Sequence, residues 1–311
     1  MSLIFLTGGA GFIGFHLQQH LKSKHSIIAI DLLAENNIAA NYRASILGNV
    51  KQQNINKAFL DDLSDKPEVL IHLAAETGIS GSLTNPQQYF DTNVAATFNV
   101  LEQCRKNGVK YLIYASSSSV YAPNQELMME DSDTNNQLSF YGTTKKMCEV
   151  MINNYCNQFG ITAIGLRFFT VYGSFTRPDM AAYKFMKAIK NQQPITLFNN
   201  GNVLRDFTHV SDIVKPIALL IDKIKTEPLG THKIFNIGNG TPISIQQYAQ
   251  LIADNLGETL LSNYQPLPAN ELPSTHSNTE KLVRYIGYKP SFTIEEGVLE
   301  MTNWFKQFNY E

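Results

Sequence analysis

The glycine-rich stretch TGGAGFIG, residues 7–14, most constrains what this chain can fold into. It follows an apolar strand predicted for Leu3–Leu6 without a gap, and the residues from Phe12 to about Lys24 have helical character. A tight strand-to-helix turn of this kind lets backbone amides approach a pyrophosphate at the positive end of a helix. An ordinary glycine-rich turn has the same local pattern, so the next segments decide between the two. The residues expected to line a dinucleotide are Gly8, Gly11, Phe12, Ile13 and Gly14.

Two further predicted strands place this turn in a parallel sheet. The segment SIIAID, residues 26–31, ends in Asp31 at the distance from the glycines where ribose hydroxyls are bound. A carboxylate there repels a 2′-phosphate, which favours NAD(H) over NADP(H). The segment VLIHLAAE, residues 69–76, is an apolar strand that closes in small residues. Together these segments predict an α/β fold with a Rossmann-type doubly wound parallel sheet. The backbone expected to face the cofactor after this strand is that of Leu73, Ala74 and Ala75.

The composition excludes several classes of protein. The chain has 311 residues, 43% of them hydrophobic, which is enough for one large or two moderate domains. Its net charge of −2 gives no reason to expect nucleic acid or an anionic membrane as the main partner. Three scattered cysteines and seven scattered histidines match neither a disulfide framework nor a metal-ligand pattern. No apolar run reaches the ~20 residues of a membrane-spanning helix, and the N-terminus lacks the basic region of a signal peptide. These features predict a cytoplasmic protein without a metal site.

Four consecutive serines, Ser116–Ser119, come directly after the apolar and aromatic segment YLIYA, residues 111–115. A serine run is most often a polar linker, but this one lies between a predicted strand and the apolar pair Val120-Tyr121. Hydroxyls at the carboxyl end of a central strand lie where an open α/β sheet carries its chemistry. The residues alone leave a turn and a functional site equally open.

Tyr141 and Lys145, in the segment FYGTTKK, are four residues apart and share one face of a predicted helix. On its own the pair also fits a packing tyrosine beside a surface lysine. After a dinucleotide fold it has a chemical meaning, because a phenol has an ordinary pKa of about 10 and a nearby ammonium favours its charged form. A serine hydroxyl aimed at the same substrate oxygen would complete a proton-transfer set that interconverts an alcohol and a ketone.

Over nearly its whole length the chain resembles the extended short-chain dehydrogenase/reductase family of NAD-dependent nucleotide-sugar epimerases and dehydratases. The segments that carry the resemblance are TGGAGFIG, HLAAETG, SSSSVY, YGTTK, LRFFTVYG, RPDMAAYKFMKAI, RDFTHVSDIV, FNIGNG and IGYKP. SSSSVY together with RFFTVYG and RPDMA is most similar to the UDP-glucuronate 4-epimerase branch. The resemblance implies C4 epimerisation of UDP-glucuronate or UDP-galacturonate through a transient 4-keto sugar, with NAD staying bound.

The resemblance also implies roles for individual residues. Ser117 matches the catalytic hydroxyl, Tyr141 the base and Lys145 its ammonium partner, and the last two also contact the cofactor. Asn54 and Ile55 stand near the adenine, where relatives carry an aspartate-isoleucine pair. Ser118 and Ser119 stand where dehydratases and decarboxylases of the family carry acids, which favours simple epimerisation. The residues expected to bind the nucleotide sugar are Thr77, Ser82, Ser117, Ser118, Ser119, Thr170, Arg177 and Arg205.

A uronic acid adds a requirement to such a site. Its 4-keto form is a β-keto acid, which loses CO₂ readily if the carboxylate bond lies perpendicular to the carbonyl plane. The hydroxyls of Ser117–Ser119 and Thr170 are expected to hold the carboxylate away from that geometry by hydrogen bonds to the charged group. A packing role for Thr170 and an inward-facing Ser118 are the alternatives. Arg205 is similar to the family arginine that contacts the diphosphate, a role that suits a guanidinium, and Arg177 is expected to bind substrate or to form a surface ion pair.

Three departures from the family pattern leave the sugar and the nucleotide base open. Close relatives usually carry an arginine at Ser80, often Pro-Gly-Asp at Pro268-Ala269-Asn270, and an aspartate at Asn278. One alternative is therefore epimerisation of another UDP-hexose, such as UDP-glucose or UDP-N-acetylglucosamine. The alternative from another class is a non-catalytic sensor that binds NAD or a nucleotide sugar.

The domain organisation is also predicted from the resemblance. Residues 1–167 and 205–236 are expected to form the NAD-binding domain, and residues 168–204 and 237–311 a smaller α/β substrate-binding domain. Asn93 is expected either to begin an amphipathic helix or to face the substrate, and Ser244 to cap a helix. Relatives are commonly homodimers built through paired helices, and the resemblance suggests a role in polysaccharide biosynthesis.

Overall fold

Strands and helices alternate along the chain in the computed structural model, which describes residues 2–61, 63–123 and 125–308. The strands are β1 (Leu3–Thr7), β2 (Ser26–Asp31), β3 (Val50–Gln52), β4 (Val69–His72), β5 (Tyr111–Ser117), β6 (Thr162–Phe168), β7 (Thr170–Tyr172), β8 (Ile195–Phe198), β9 (Leu204–Arg205), β10 (Phe207–His209), β11 (His232–Ile237), β12 (Ile243–Ser244) and β13 (Ser262–Gln265). The helices are α1 (Phe12–Leu21), α2 (Ile38–Leu47), α3 (Ile79–Thr84), α4 (Pro86–Tyr89), α5 (Ala96–Asn107), α6 (Phe140–Phe159), α7 (Ala181–Lys190), α8 (Ser211–Lys223), α9 (Ile245–Leu256), α10 (Glu280–Ile286) and α11 (Ile294–Gln307). A π-helical turn over Phe90–Ala95 joins α4 to α5, and a 3₁₀ turn over Ser118–Val120 follows β5. Within the described residues, none of the helices has the length and apolar character needed to cross a membrane.

Seven parallel strands form the central sheet, in the order β11-β6-β5-β4-β1-β2-β3. The strand order reverses between β1 and β4, and such a switch point is where an open α/β sheet binds its ligand. Because the strands are parallel, the carboxyl ends of β1, β2, β4 and β5 share one edge. The predicted α/β fold with a Rossmann-type doubly wound parallel sheet is confirmed.

Helices cover both faces of this sheet. On one face α1 and α8 bury apolar side chains such as Leu17 and Ile217. On the other face α5 and α6 bury Leu101 and Ile152. Neighbouring residues of one strand alternate between the two layers, so that Leu70 belongs to one apolar cluster and its neighbours to the other. A parallel sheet covered on both sides needs nearly continuous apolar strands, which explains runs such as LIFL and VLI.

A smaller core lies among α7, α9 and α11. Three two-stranded pairings accompany it, β7 with β10, β9 with β12 and β8 with β13. Tyr248 and Phe207 stack at its centre with their ring centroids 4.0 Å apart. Ser244 caps α9 in a reciprocal capping box with Gln247, as predicted for this serine. The division of the chain into an NAD-binding and a substrate-binding domain stays a prediction.

The bounds of three elements differ from those expected from the sequence. β4 ends at His72 and does not continue to Glu76, because its partner β1 ends at Thr7, the residue paired with His72. β5 continues through two serines to Ser117, since β6 offers paired backbone as far as Phe168. α1 ends at Leu21, three residues earlier than expected.

Candidate active site

The glycine-rich loop between β1 and α1 is packed so closely that Gly8 and Gly14 have no room for a side chain. Gly8 has φ +73°, and a Cβ there would lie 2.6 Å from the amide nitrogen of Ala74. A Cβ on Gly14 would strike the carbonyl oxygen of Gly8. α1 begins at Phe12, behind an N-cap glycine that has no side chain to satisfy the first amides of the helix. These amides and the positive end of α1 form a cradle that suits a pyrophosphate.

Asp31 ends β2 beside this loop. Its Oδ2 accepts a 3.0 Å hydrogen bond from the amide of Ala10, and its Oδ1 lies 3.5 Å from the amide nitrogen of Leu33. Burial raises the pKa of Asp31, and the hydrogen bonds from these backbone amides act against that rise. A carboxylate has about four lone-pair positions, so acceptor capacity remains for the hydroxyls of a ribose.

The other residues predicted to bind the cofactor follow β3 and β4. Leu73–Ala75 come directly after β4, and the amide of Ala74 donates to Thr7 Oγ1 at 3.3 Å. Asn54 Oδ1 accepts from the amide of Asn56 at 2.9 Å, which forms a turn after β3. Ile55 is buried in the core beside it. All of them lie at the carboxyl edge of the sheet, as the predicted cofactor site requires.

The four serines are an ordered strand end and turn, not a flexible linker. Ser116 is 2% exposed, and its hydroxyl donates to Glu149 Oε1 at 2.6 Å. Ser117 ends β5, and its Oγ accepts from the amide of Ser119 at 3.1 Å, which caps the 3₁₀ turn. Ser118 and Ser119 are half-buried on that turn. The run therefore presents successive hydroxyls at the carboxyl end of a central strand.

Helix α6 begins next to the serine run. Ser139 caps the helix by accepting from the amide of Gly142 at 3.1 Å. A Cβ on Gly142 would strike the carbonyl oxygen of Ser119, so the first turn of α6 lies directly on the serine run. Tyr141 stands in this first turn, where the positive end of the helix stabilises negative charge.

Lys145 lies one turn further along the same face of α6 and is 5% exposed. Its Nζ donates to the carbonyl oxygen of Ala115 at 3.0 Å. His72 on β4 is also buried, and burial lowers its pKa to about 3, an effect that the positive charge of Lys145 reinforces. The ring nitrogens of His72 lie 2.7 Å from Thr7 Oγ1 and 3.0 Å from Thr97 Oγ1. A neutral His72 leaves the ammonium of Lys145 as a positive charge close to Tyr141.

Tyr89 of α4 holds the loop after β4 against the site. Its hydroxyl lies 2.6 Å from the carbonyl oxygen of Thr77 and 2.9 Å from that of Gly78. Its ring meets the ring of Tyr141 edge-on, with 6.2 Å between the centroids. Tyr89 therefore places Thr77, a predicted substrate residue, beside the predicted base.

Asn93 is a site residue whose role the sequence leaves open. It lies in the middle of the π-helical turn, not at the start of a helix, and is 1% exposed. Its side chain accepts from the amide of Glu76 at 2.8 Å and donates to the carbonyl oxygen of Glu76 at 3.0 Å. It also donates to Thr144 Oγ1 at 3.0 Å, so it ties the loop after β4 to α6. π-helical turns are frequent at functional sites, but no sequence pattern predicts them.

Both arginines predicted to bind substrate form ion pairs. Arg177 donates from Nε and Nη2 to the two carboxylate oxygens of Asp179 at 2.9 Å and 2.7 Å. Arg205 Nη2 donates to Glu271 Oε2 at 2.9 Å. The ion-pair alternative for Arg177 is thus what the structure contains. A guanidinium has five N–H donors, so each arginine keeps donors beyond its carboxylate partner.

The two remaining predicted substrate residues differ in their surroundings. Thr170 begins β7 and is half-buried. Ser82 is 1% exposed, and its hydroxyl donates to the carbonyl oxygen of Ile79 at 2.7 Å within α3. The only proton of the Ser82 hydroxyl is therefore engaged inside the helix that also carries Ser80.

Two of the departures from the family pattern lie close to described contacts. Ala269-Asn270 sit in a turn closed by the hydrogen bond from the amide of Glu271 to the carbonyl oxygen of Pro268, so they directly precede the ion-pair partner of Arg205. Asn278 Oδ1 accepts from the amide of Glu280 at 3.0 Å at the start of α10.

Comparison with known proteins identifies the family of this site. Residues 4–238 match the NAD dependent epimerase/dehydratase family. The chain is 38% identical to Protein CapI of Staphylococcus aureus, over 98% of this chain and 98% of that protein. It is 33% identical to the UDP-glucuronate 4-epimerase of Thermodesulfobacterium geofontis (strain OPF15), over 99% of this chain and 97% of that protein. The crystal structure of UDP-glucuronic acid 4-epimerase from Bacillus cereus in complex with UDP-glucuronic acid and NAD matches with a TM-score of 0.91 and 28% identity, over 98% of this chain and 99% of that chain. The chain belongs to the NAD dependent epimerase/dehydratase family, which confirms the family predicted from its motifs.

Proposed function

We propose that this chain is an NAD-dependent 4-epimerase of nucleotide sugars that interconverts UDP-glucuronate and UDP-galacturonate through a 4-keto sugar. The observation that carries the proposal is that α6, which bears Tyr141 and Lys145, is joined to the residues on either side of Ser117 at the carboxyl edge of the sheet. There Lys145 is bonded to Ala115, and the first turn of α6 touches Ser119. The family match and the likeness to the Bacillus cereus enzyme support the same function.

The crevice beside the glycine loop suits a bound NAD. The closely packed loop at residues 8–14 and the N-terminus of α1 would hold the pyrophosphate. Asp31 would hold the adenosine ribose, with Asn54 and Ile55 on the adenine side. When bound, NAD supplies the acceptor for the hydride from C4 of the sugar and later returns it.

Proton transfer falls to the residues of α6 and β5. Tyr141 removes the proton of the C4 hydroxyl, and the N-terminal end of α6 and the ammonium of Lys145 stabilise the resulting charge on the phenol. The hydroxyl of Ser117 donates a hydrogen bond to the same C4 oxygen. After the 4-keto sugar has turned over in the site, Tyr141 gives the proton back to the oxygen of the opposite epimer.

The hydroxyls around the sugar are proposed to retain the uronate carboxylate. Ser118, Ser119 and Thr170 are half-buried, and hydrogen bonds to a charged carboxylate are stronger than those between neutral groups. They would hold the carboxylate bond near the plane of the 4-keto group, where CO₂ is not lost. Thr77 beside Tyr141 and Arg205 at the diphosphate complete the proposed substrate contacts, whereas the Ser82 proton is already engaged.

One observation favours a second candidate, epimerisation of an uncharged UDP-hexose such as UDP-glucose or UDP-N-acetylglucosamine. Burial acts to lower the pKa of Arg177, but the hydrogen bonds and charge of Asp179 and the nearby charge of Glu76 raise it overall. Negative charge therefore already surrounds this arginine, which leaves less attraction for a substrate carboxylate. A neutral sugar would need no carboxylate grip, so removing the Ser118 hydroxyl would then cost little activity.

We also propose that the enzyme is a homodimer formed through α5 and α6. Phe98 of α5 and Val150 and Phe159 of α6 are 50%, 59% and 50% exposed. The rings of Phe98 and Phe159 both contact Tyr155, so they form one continuous apolar strip across the two helices. A second copy of the chain would bury this strip against its own, as isologous dimers do.

A cytoplasmic location is part of the proposal. Cys104, Cys148 and Cys156 are buried free thiols, and burial raises the pKa of Cys104 to about 12. Unpaired cysteines are usual in reducing compartments.

The experiment that tests the function is proton NMR of the purified protein with UDP-glucuronate and no added NAD. Appearance of UDP-galacturonate would show C4 epimerisation and a cofactor retained from expression. The Tyr141→Phe variant is the control and should give no product, whereas a sensor would keep its function in that variant. UDP-pentose as the product would contradict the proposed carboxylate grip, and conversion of UDP-glucose alone would favour the second candidate.

A further inference from the structure

A buried ion pair lies directly beneath the serine run. Arg167 of β6 donates from Nε and Nη2 to the two oxygens of Glu149 of α6, both at 2.9 Å. The two side chains are 3% and 2% exposed. Glu149 Oε1 also accepts the 2.6 Å hydrogen bond from Ser116, the neighbour of Ser117. The pair therefore joins the catalytic helix to the strand that ends in the catalytic hydroxyl.

Stability alone does not explain a buried ion pair. Removing two charges from water is so unfavourable that well-packed apolar residues are often at least as stabilising. What such a pair can add is a defined geometry, and here the geometry concerns the residues of the proposed reaction. Tyr141, Lys145 and Glu149 are spaced by four residues on one face of α6.

This face of the helix is bonded to β5 at two consecutive residues. Lys145 Nζ donates to the carbonyl oxygen of Ala115 at 3.0 Å, and Glu149 accepts from the hydroxyl of Ser116. Side chains alternate along a strand, so a Ser116 turned inward towards Glu149 turns Ser117 to the opposite side. The contact between Glu149 and Ser116 thus holds β5 in the orientation in which Ser117, and not Ser116, is free to face the sugar.

Arg167 has a different consequence, because Lys145 and Glu149 are themselves an i, i+4 pair of opposite charge. In this structure both Glu149 oxygens face Arg167, with Lys146 Nζ 3.8 Å from Oε2. Lys145 is bonded to the backbone of β5 instead. Because Arg167 pairs with the carboxylate of Glu149, the ammonium of Lys145 stays available to Tyr141.

Arg167 also makes contacts with residues other than Glu149, and these fix its side chain in place. Its Nη1 donates to the carbonyl oxygen of Glu130 at 3.0 Å, and its guanidinium lies 4.8 Å from the ring centroid of Tyr121. Its backbone pairs with Ser116 in the β5–β6 ladder, which sets the height of the guanidinium relative to the serine run. A planar fork with these contacts fixes a carboxylate in a way that a lysine ammonium does not.

We propose that Glu149 and Arg167 are positioning residues for the proton transfer: Glu149 holds Ser116 inward so that Ser117 faces the sugar, and Arg167 holds Glu149 away from Lys145. The inference rests on the proposed function of Ser117, Tyr141 and Lys145. Other titratable or charged groups that face the Tyr141–Lys145 pair come from α6, β4, the loop after β4, α4 and the segment before α7. They are Cys148, His72, Glu76, Tyr89 and Arg177, and all of them are kept in the variants below.

The decisive variant is Arg167→Gln, which leaves the carboxylate of Glu149 without its partner. Lys145 should then turn to Glu149, and charge on Tyr141 should be less favoured. We expect the acid limb of the kcat–pH profile to move up by about one unit and kcat at a pH within that limb to fall about tenfold, since one pH unit there changes the ionised fraction tenfold. KM for the UDP-sugar should change less than about twofold, because neither residue is expected to touch the substrate.

The double variant Glu149→Gln, Arg167→Gln distinguishes positioning from simple destabilisation. It removes the uncompensated carboxylate, so the acid limb should return to the wild-type position even if thermal stability remains reduced. Arg284→Gln is the matched control, because it removes an arginine from the exposed ion pair with Glu280 on α10, with a distance of 3.7 Å. An acid limb that stays in place in Arg167→Gln, or that remains displaced in the double variant, would overturn the proposal.

Two additions keep the test decisive if Arg167→Gln does not fold. Ser116→Ala and Glu149→Asp keep the charge pair but remove or loosen the contact with β5, and they should lower kcat severalfold without moving the acid limb. Wild-type kcat in both would overturn the role of Glu149.

A second readout needs no substrate. It is the ultraviolet titration of the Tyr141 phenol, obtained as the difference between each protein and its Tyr141→Phe counterpart. If the wild type epimerised none of the sugars tested, the proposed function would fail, yet this titration would still decide whether Arg167 acts on Tyr141. An unchanged titration in Arg167→Gln would count against the proposal whatever the substrate proves to be.

Discussion

Lys145 donates a 3.0 Å hydrogen bond to the carbonyl oxygen of Ala115, two residues before Ser117. This bond joins α6 to β5 one helical turn from Tyr141. Gly142 adds a second close approach, because only a glycine there lets α6 lie on the carbonyl oxygen of Ser119. The relative position of Ser117 and Tyr141 is thus set by the Lys145 side chain and the backbone at Gly142, and a substitution of Ser117 or Tyr141 leaves both contacts in place.

Replacing the base should abolish turnover without unfolding the protein. We expect Tyr141→Phe to lower kcat by roughly 10²–10⁴-fold, the usual contribution of a positioned proton-transfer group, and Lys145→Met to act in the same direction. The measurement is initial-rate NMR or coupled assay of the UDP-sugar, with the melting temperature as a check on folding. Tyr155→Phe is a matched control, since Tyr155 lies near the other end of α6 and its hydroxyl donates to Glu102 of α5. Equal activity of Tyr141→Phe and Tyr155→Phe would refute the assigned base.

The parts of the site that the sequence predicts are those encoded by local spacing. The glycine loop and the Tyr141–Lys145 pair depend on residues within one or two turns of each other, and Asp31 depends on its separation from the glycine loop within one strand–helix–strand unit. The strand-end position of the serine run also follows from its apolar flanks. Such features follow directly once the predicted strands and helices form, because they do not depend on how distant segments pack.

The parts that the sequence does not predict depend on how distant segments meet. Which serine turns inward depends on the register of β5 against β6 and on Glu149, 33 residues away. The partner of Arg205 is Glu271, 66 residues further along the chain, and Asn93 lies in a π-helical turn that leaves no compositional signal. None of these contacts has a spacing rule, since each is decided by tertiary packing.

The carboxylate grip predicts a change in product, not only in rate. Thr170→Val removes one hydroxyl and keeps the branched shape, and Ser118→Ala removes another. With UDP-glucuronate, both should release more UDP-pentose and CO₂, because the β-keto acid would be freer to reach the geometry that loses CO₂. NMR of the sugar region measures the ratio of UDP-pentose to UDP-galacturonate.

A matched control for these variants is Thr208→Val on β10, which lies beside β7. The Thr208 hydroxyl is buried without a hydrogen-bond partner among the described residues, so removing it should leave the product ratio unchanged. If Thr170→Val also kept the wild-type ratio, the hydroxyl of Thr170 would have no part in holding the carboxylate.

The glycine loop predicts a selective loss of cofactor. Gly14→Ala would push a Cβ onto the carbonyl oxygen of Gly8, so the loop and the start of α1 must separate. We expect the purified variant to carry several times less NAD than the wild type, measured by absorbance after acid release. Gly257→Ala controls for stability, because it places a residue at φ +75° with open space around it and far from the loop in sequence. It should lose stability but keep its NAD, and retention of NAD by Gly14→Ala would exclude the proposed cradle.

The apolar strip across α5 and α6 predicts the oligomeric state. Phe98→Asp puts a charge into the strip, where the proposed dimer would have to bury it. We expect sedimentation velocity to show a dimer for the wild type and a larger share of monomer for the variant. Leu299→Asp on α11 is the control, since Leu299 is 49% exposed but lies outside the strip. A monomeric wild type, or equal dissociation in both variants, would remove the basis for this interface.

The buried His72 predicts a loss of stability in mild acid. Burial lowers its pKa in the folded protein from the ordinary value of 6.5 to about 3, so between these two values the unfolded chain binds a proton that the folded chain does not. Stability should therefore be fully present above pH 6.5 and should fall as the pH is lowered through the range below it. One such proton gives a slope of about 1.4 kcal/mol per pH unit in the free energy of unfolding.

His72→Gln keeps a side chain able to hydrogen-bond Thr97 but cannot take up the proton. The slope of its free energy of unfolding against pH, measured by urea unfolding between pH 5 and about pH 6, should therefore be smaller by about that amount. His16, whose pKa burial lowers to about 4, is present in both proteins and leaves a residual slope in each. Identical slopes for wild type and variant would mean that His72 is not held neutral between Thr7 and Thr97.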